Sequence, residues 1–141
     1  MSDSREAYPV EELSAVACDR RLRHAAVGRV GLTVDGHPEI FPVNFAMDAA
    51  GDLYFRTDPG AKLDALRHAE VIAFEIDGFD EEHQSGWSVL VVGEAYRVAD
   101  PERLEAVFAS GLHPWAAGER THVIRLVPTK VTGRILSTRH Q

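Results

Sequence analysis

Three short segments of this chain carry residue types at spacings that could hold a small molecule. The first runs Phe55-Arg56-Thr57-Asp58-Pro59-Gly60-Ala61-Lys62. A β-rich stretch ends in a guanidinium and a hydroxyl, a Pro-Gly turn follows, and a lysine opens a predicted helix. Cationic groups, a hydroxyl and free helix N–H groups could converge there on a phosphate. The same spacing also fits a solvated turn with two surface charges. The second segment is Pro42-Val43-Asn44-Phe45. Proline removes a ladder hydrogen bond and leaves backbone that could face a planar ligand, while Asn44 offers a donor and an acceptor. An ordinary strand edge would look alike. The third feature is a pair of tryptophans, Trp87 at a strand start and Trp115 in a loop. Indoles are broad stacking surfaces with one polar N–H, and they serve equally as core or interface residues.

Other chemistries find less support. Seven histidines are present, but without H-E-x-x-H, C-x-x-C or a close His pair. The cluster Asp80, Glu81, Glu82 and His83 fits a solvated loop better than a metal site. Ser85-Gly86-Trp87-Ser88 is not a nucleophile elbow, and no triad order emerges. Walker and G-x-G-x-x-G loops are missing, which argues against the standard nucleotide folds. Cys18 is the single cysteine. It precludes an intramolecular disulfide, and nothing near it in sequence activates the thiol, so helix packing is its expected role.

The elements that must position these segments follow from the hydrophobic pattern. Ser14 can cap a helix from Ala15 to about His24. Val27 to Val34 and Glu39 to Met47 form a predicted hairpin about Asp35-Gly36. Pro42 places the second of these strands at an edge or bulge. Leu53 to Thr57 is a third strand, and Ala61 to His68 a short helix. Val71 to Ile76 is a buried-looking strand, and Asp77 to Gln84 reads as an acidic loop. A long strand from Trp87 to Val98 follows, with Gly93 a candidate bulge. Asp100-Pro101 starts a helix whose apolar face holds Leu104, Val107 and Phe108. The last strand runs from about His122 to Leu136, bent near Pro128. Six strands with short inserted helices point to a small antiparallel β-barrel rather than a doubly wound parallel sheet.

Composition sets the frame. The 141 residues suit one domain, with 45% hydrophobic and 26% charged residues, as in ordinary globular proteins. The expected domain spans residues 13–136, between a flexible tail at 1–12 and a short one at 137–141. A formal charge of -7 argues against nonspecific nucleic-acid binding, which needs a basic footprint. No apolar run approaches the ~20 residues that span a bilayer, and residues 1–10 lack an apolar signal core. A cytoplasmic protein with no membrane partner is the expectation.

Taken in order, Val27-Gly28-Arg29-Val30, Pro42-Val43-Asn44-Phe45, Phe55-Arg56-Thr57 through Gly60 and Lys62, Ala73-Phe74-Glu75-Ile76-Asp77, Gly86-Trp87-Ser88-Val89 and Pro114-Trp115 resemble the pyridoxamine 5'-phosphate oxidase-like family of FMN-binding split barrels, closest to its small actinobacterial branch. The resemblance covers roughly Leu13 to Leu136. It implies a six-stranded antiparallel split β-barrel that forms a homodimer and binds FMN in grooves between subunits, acting on a small-molecule substrate as a flavin-dependent oxidoreductase. By resemblance, Arg56, Thr57 and Lys62 hold the FMN phosphate and ribityl chain. Pro42, Val43, Asn44 and Phe45 meet the isoalloxazine edge, Trp87 and Ser88 line the groove, and Trp115 covers the ring. Arg29 matches as well, reaching a ligand or pairing with an acid. No catalytic side chain is implied. Alternatives on the same fold are the deazaflavin F420 as cofactor, or a non-catalytic dimer binding flavin or haem. The family's arginine-bearing motif for the substrate phosphate has no counterpart in Ser137-Thr138-Arg139-His140-Gln141, so pyridoxamine phosphate is not the expected substrate. Ala61 lacks a hydroxyl common beside the lysine.

Overall fold

A computed structural model of the chain describes residues 11–66, 70–112 and 122–137. Its strands are β1 (Glu11–Glu12), β2 (Val27–Val34), β3 (His37–Met47), β4 (Leu53–Thr57), β5 (Glu70–Asp80), β6 (Ser85–Arg97) and β7 (His122–Ser137). The helices are α1 (Ala15–His24), α2 (Ala61–Ala65) and α3 (Pro101–Ala109). All strand pairs are antiparallel. β7 pairs with both β4 and β6, so the strands β7-β4-β3-β2-β5-β6 close into a six-membered ring. This is the expected six-stranded barrel, and closure leaves few free edges. The short β1 joins outside the ring, with Glu11 opposite Ile135 and Glu12 opposite Arg134. The sheet thus takes in Glu11, Glu12 and Ser137, which the sequence places in the two tails.

Local chemistry explains the element ends. Ser14 accepts from Ala17 N–H at 3.1 Å and caps α1. Asp100 accepts from Glu102 N–H at 3.1 Å and caps α3, with Pro101 in its first turn. Asp35 and Gly36 have φ of 50° and 83°, the left-handed pair that closes a tight hairpin. Inward residues alternate along each strand and fill the barrel, Phe55, Phe74, Leu53, Ile76, Ile124 and Leu126 being fully buried. A smaller cluster of Tyr54, Val107, Leu112 and Val123 sits under α3.

Two expectations change. Asp77 to Asp80 belong to β5, and only the four residues after them form the turn to β6. Pairing with β6 runs without interruption to Asp80 opposite Ser85, and this ladder overrides the low strand preference of aspartate. α2 ends at Ala65, short of the expected His68.

The predicted bend near Pro128 is a bulge. Gly93 faces Pro128 while Val92 faces Lys130, so Thr129 is the extra residue. Thr129 Oγ1 donates to Val92 O at 3.1 Å. The two backbones approach so closely here that a Cβ on Gly93 would stand 2.2 Å from Val127 O. Gly93→Ala must therefore push two strands of the closed ring apart. It should lower the urea midpoint by an amount equivalent to about 2 kcal/mol or more, with little change in slope. An unchanged midpoint would show that the bulge relaxes freely.

Candidate functional site

The barrel is open along one seam. β3 pairs along the whole of β2, His37 to Asn44 facing Val34 to Val27. It pairs with β4 only at Phe45, Ala46 and Met47. Phe45 N–H donates to Ala26 O at 3.0 Å, on the β2 side. Alternate residues turn the other way, so Pro38 and Pro42 direct their nitrogens, which carry no hydrogen, to the open edge. Proline costs the β2 ladder nothing there, and it keeps the other side of β3 from zipping to a neighbour.

Across this open edge the chain leaves β4, turns at Asp58-Pro59-Gly60 and enters α2. A groove of about 800 Å³ lies between the two. Pro42, Val43 and Asn44 form one wall, with Phe41 and Val27 beside them, and Arg56, Thr57 and Lys62 form the other. Thr57 is 8% exposed, and its Oγ1 donates to Asp58 O at 3.3 Å. Arg56 Nε and Nη1 are buried. Lys62 Nζ stands 4.8 Å from the centre of the Phe41 ring, so a cation is held above the groove by an aromatic face. The far end carries Asp35 and Glu39. The lining thus combines the Asn44 amide and a strand edge, the cations of Arg56 and Lys62, and the carboxylates of Asp35, Glu39 and Asp58, with Glu39 Oε2 3.0 Å from His37 Nε2.

Six of the residues singled out in the sequence thus meet in one place: Pro42, Val43, Asn44, Arg56, Thr57 and Lys62. Phe45 does not line the groove. It is 6% exposed and packs edge-on against Phe74, ring centres 4.8 Å apart, because its side chain points into the barrel. Trp87 and Ser88 sit on β6, away from this groove, and Trp115 lies outside the described residues. The sequence reading missed Phe41, Asp35 and Glu39. The hairpin register brings the two carboxylates there, and only the lysine at position 62 hints at an aromatic partner for it.

Beside the groove, Arg29 pairs across the sheet with Pro42 on one side and Glu75 on the other. Its Nη1 reaches Glu75 Oε1 at 3.1 Å and Asp77 Oδ2 at 2.8 Å. Arg29 is thus paired with acids on the outer face of the barrel. Partial burial raises the Glu75 carboxyl above its ordinary 4.5; Asp77 adds to this, and Arg29 opposes it. Among the described residues, Asp80, Glu82 and His83 lie close together. All three are exposed, and Asp80 Oδ2 is 2.6 Å from His83 Nδ1. That contact and the neighbouring N–H bonds hold Asp80 below its usual range.

The fold and the groove together define a split β-barrel with a cleft at its seam whose lining carries Arg56 and Lys62. The family model described as pyridoxamine 5'-phosphate oxidase matches residues 14–135, and the chain belongs to that family. It is similar to the uncharacterized protein Rv0080 of Mycobacterium tuberculosis, 36% identical over 140 residues that cover 92% of this chain and 91% of that one. Among solved structures it resembles an FAD binding protein from Mycobacterium smegmatis, at 37% identity and a TM-score of 0.79, covering 92% and 100% of the two chains. An FAD-binding protein from Mesorhizobium loti shares 25% identity with a TM-score of 0.75, covering 91% and 99%. No helix among the described residues is long and apolar enough to cross a membrane.

The folded chain holds the Glu75 proton more tightly than the unfolded chain does. This group therefore favours folding below its unfolded pKa, and that contribution is lost as pH rises through the folded value. Glu75→Gln should flatten that loss, read as urea midpoints taken from about pH 4 to about pH 7. Identical profiles for the two proteins would assign the proton to another group.

Proposed function

We propose that this chain binds a flavin nucleotide in the groove beside β3 and works as a flavin-dependent oxidoreductase on a small molecule. The observation that carries the reading is the meeting of Arg56, Thr57 and Lys62 with the unpaired edge at Pro42 to Asn44. The cations and hydroxyl suit a phosphate, and the flat apolar edge with one amide suits a ring system. Family membership and the FAD-binding relatives point the same way. Among the described residues, no histidine, cysteine or methionine lines the groove, which favours flavin over haem, whose iron takes such ligands.

A bound flavin supplies the hydride or electron transfer. Lys62 and Arg56 would hold the phosphate, and the Thr57 hydroxyl would accept or donate beside it. Asn44 and the Pro42 carbonyl would meet the ring edge and fix its orientation. The barrel walls exclude water from one side of the groove.

FMN is the smallest ligand that uses all of these contacts. A second reading, FAD, rests on the far end of the groove, where Asp35 and Glu39 could accept hydrogen bonds from a ribose diol beyond the phosphate. The same two carboxylates disfavour the acidic tail of F420. Titration with riboflavin, FMN and FAD separates these. Lys62→Ala should weaken FMN about ten- to a hundredfold, the loss of one charge-assisted contact, and leave riboflavin nearly unchanged. Equal losses would mean that Lys62 acts through folding. If the groove takes FAD, Glu39→Gln should weaken FAD alone.

The reading includes a homodimer. Val27, Ile40, Val71 and Leu90 lie on the same outer face of β3, β2, β5 and β6, exposed by 56%, 75%, 69% and 38%. Exposed apolar side chains grouped in this way around the Arg29–Glu75–Asp77 cluster suit an interaction face. It borders the groove through Val27 and Asn44, so a second copy on it would overhang the ligand. Ser88 shares this face with Asp77. Trp115 belongs, on this reading, to the cover over the ring. Ile40→Glu should yield a monomer in sedimentation while leaving the fold intact, because the side chain is already exposed. A variant that stays dimeric would remove this face from the interface.

A further inference from the structure

A second cleft, of about 400 Å³, opens between the last turn of α1 and the start of β6. Arg20, Arg21, His24 and Trp87 wall it, over the small side chains of Ala17 and Ala25. The indole is clamped. A Cβ on Gly78 would come within 2.7 Å of Trp87 Nε1, so the ring lies where only a glycine leaves room. Above the ring, the Arg21 guanidinium carbon stands 4.2 Å from its centre. His24 Nδ1 lies 2.8 Å from Arg20 O, which turns the imidazole back along the helix.

The charge pattern is uneven. Three arginines and a histidine fall within one and a half turns of a chain whose formal charge is -7. Arg23 is engaged by Asp19 at 2.9 Å and by Asp48 O at 3.2 Å. Among the described residues, neither Arg20 nor Arg21 pairs with a carboxylate. Two guanidinium forks without a carboxylate partner among the described residues, lining one cleft, concentrate anions there. Their planar donors match phosphate or carboxylate oxygens two at a time. The alanines and the indole edge accept an apolar body. The volume is at the low end for ligand sites, which run from roughly 300 to 1,000 Å³.

We propose that this cleft is a second ligand site, for a small aromatic anion whose phosphate or carboxylate meets Arg20 and Arg21 and whose ring rests against Trp87. It is separate from the flavin groove and does not depend on that reading.

The test uses the full chain as purified, with its natural ligand in place, and phenyl phosphate as the probe. The indole N–H resonances of Trp87 and Trp115 report binding, with Trp115→Phe assigning them. The expected result is a saturable shift of the Trp87 resonance, with inorganic phosphate binding about tenfold or more weakly for want of the ring contact. Arg20→Gln should weaken phenyl phosphate about tenfold, and Arg20→Lys should recover part of it, since charge is kept and the fork is lost. Flavin affinity should be the same in all three proteins. No saturable shift up to about 10 mM, or equal binding of inorganic phosphate, overturns the proposal. So does a loss of flavin affinity in Arg20→Gln matching the loss of phenyl phosphate, which would make the cleft part of a neighbouring copy's flavin site. Failure of the flavin reading shows separately, as absence of flavin binding by the unaltered chain.

Discussion

The groove exists because one strand cannot be paired on both sides. β3 gives its hydrogen-bonding residues to β2 and offers β4 a ladder of only Phe45, Ala46 and Met47. Pro38 and Pro42 hold this state chemically, since neither nitrogen can donate to a strand arriving at the open edge. A sheet edge left bare invites another chain. Here the turn at Asp58-Pro59-Gly60 and helix α2 stand over it instead, and the gap between is lined by cations. The break in the ladder, the groove and the placing of Lys62 over Phe41 are consequences of the same constraint.

The outer face repeats this economy. Pro42 and Glu75 both neighbour Arg29, one on each side of β2. Arg29 is 52% exposed at its side chain, and its two carboxylate partners are 33% and 40% exposed. At such exposure the pairs contribute little to stability, about 0–1 kcal/mol each in typical cases. Their greater effect is positional. They place a net negative cluster amid Val27, Ala73 and Leu90, so whatever covers this face must match a charge pattern as well as an apolar one. A covering surface without that match would leave buried charge unpaired, which costs far more than the pairs contribute in water.

The legible parts of this structure are those written in local chemistry. Ser14 and Asp100 cap helices because their side chains reach an N–H two or three residues on. Asp35-Gly36 closes a hairpin because its φ angles are the ones that dipeptide favours. Pro42 and Gly93 mark an open edge and a bulge, where proline cannot donate and a side chain cannot fit. Arg56, Thr57 and Lys62 follow from a strand end, a turn and a helix start that are contiguous in sequence. What stayed hidden depends on pairing between distant strands. Asp77 to Asp80 look like loop until β6 is known to run beside them. Asp35 and Glu39 reach the groove only through the hairpin register. Phe45 shares a tetrapeptide with Pro42 and Asn44, yet packs against Phe74 in the core, because the β3–β4 ladder begins at Phe45 and closes the barrel there. Trp87 likewise points to the α1 side of the barrel, while its neighbour Ser88 faces outward.

The position of Lys62 is itself a product of the core. A helix of five residues is far too short to be stable alone, since nucleation is costly and few bonds offset it. It also has no side-chain cap and too little length for a useful dipole. α2 persists because Leu63 and Leu66, 7% and 0% exposed, are buried in the barrel core. Burying two leucines stabilises by about 3–6 kcal/mol relative to leaving them in water, enough to fix one turn of helix. The lysine beside Leu63 is therefore ordered by folding, before any ligand arrives. An anion bound there as proposed would not have to immobilise the segment that holds it, which would favour affinity. On the proposed reading, a grip of two cations and a hydroxyl, modest in chemical terms, gains at the seam of the barrel a preorganisation that a free loop would not give it.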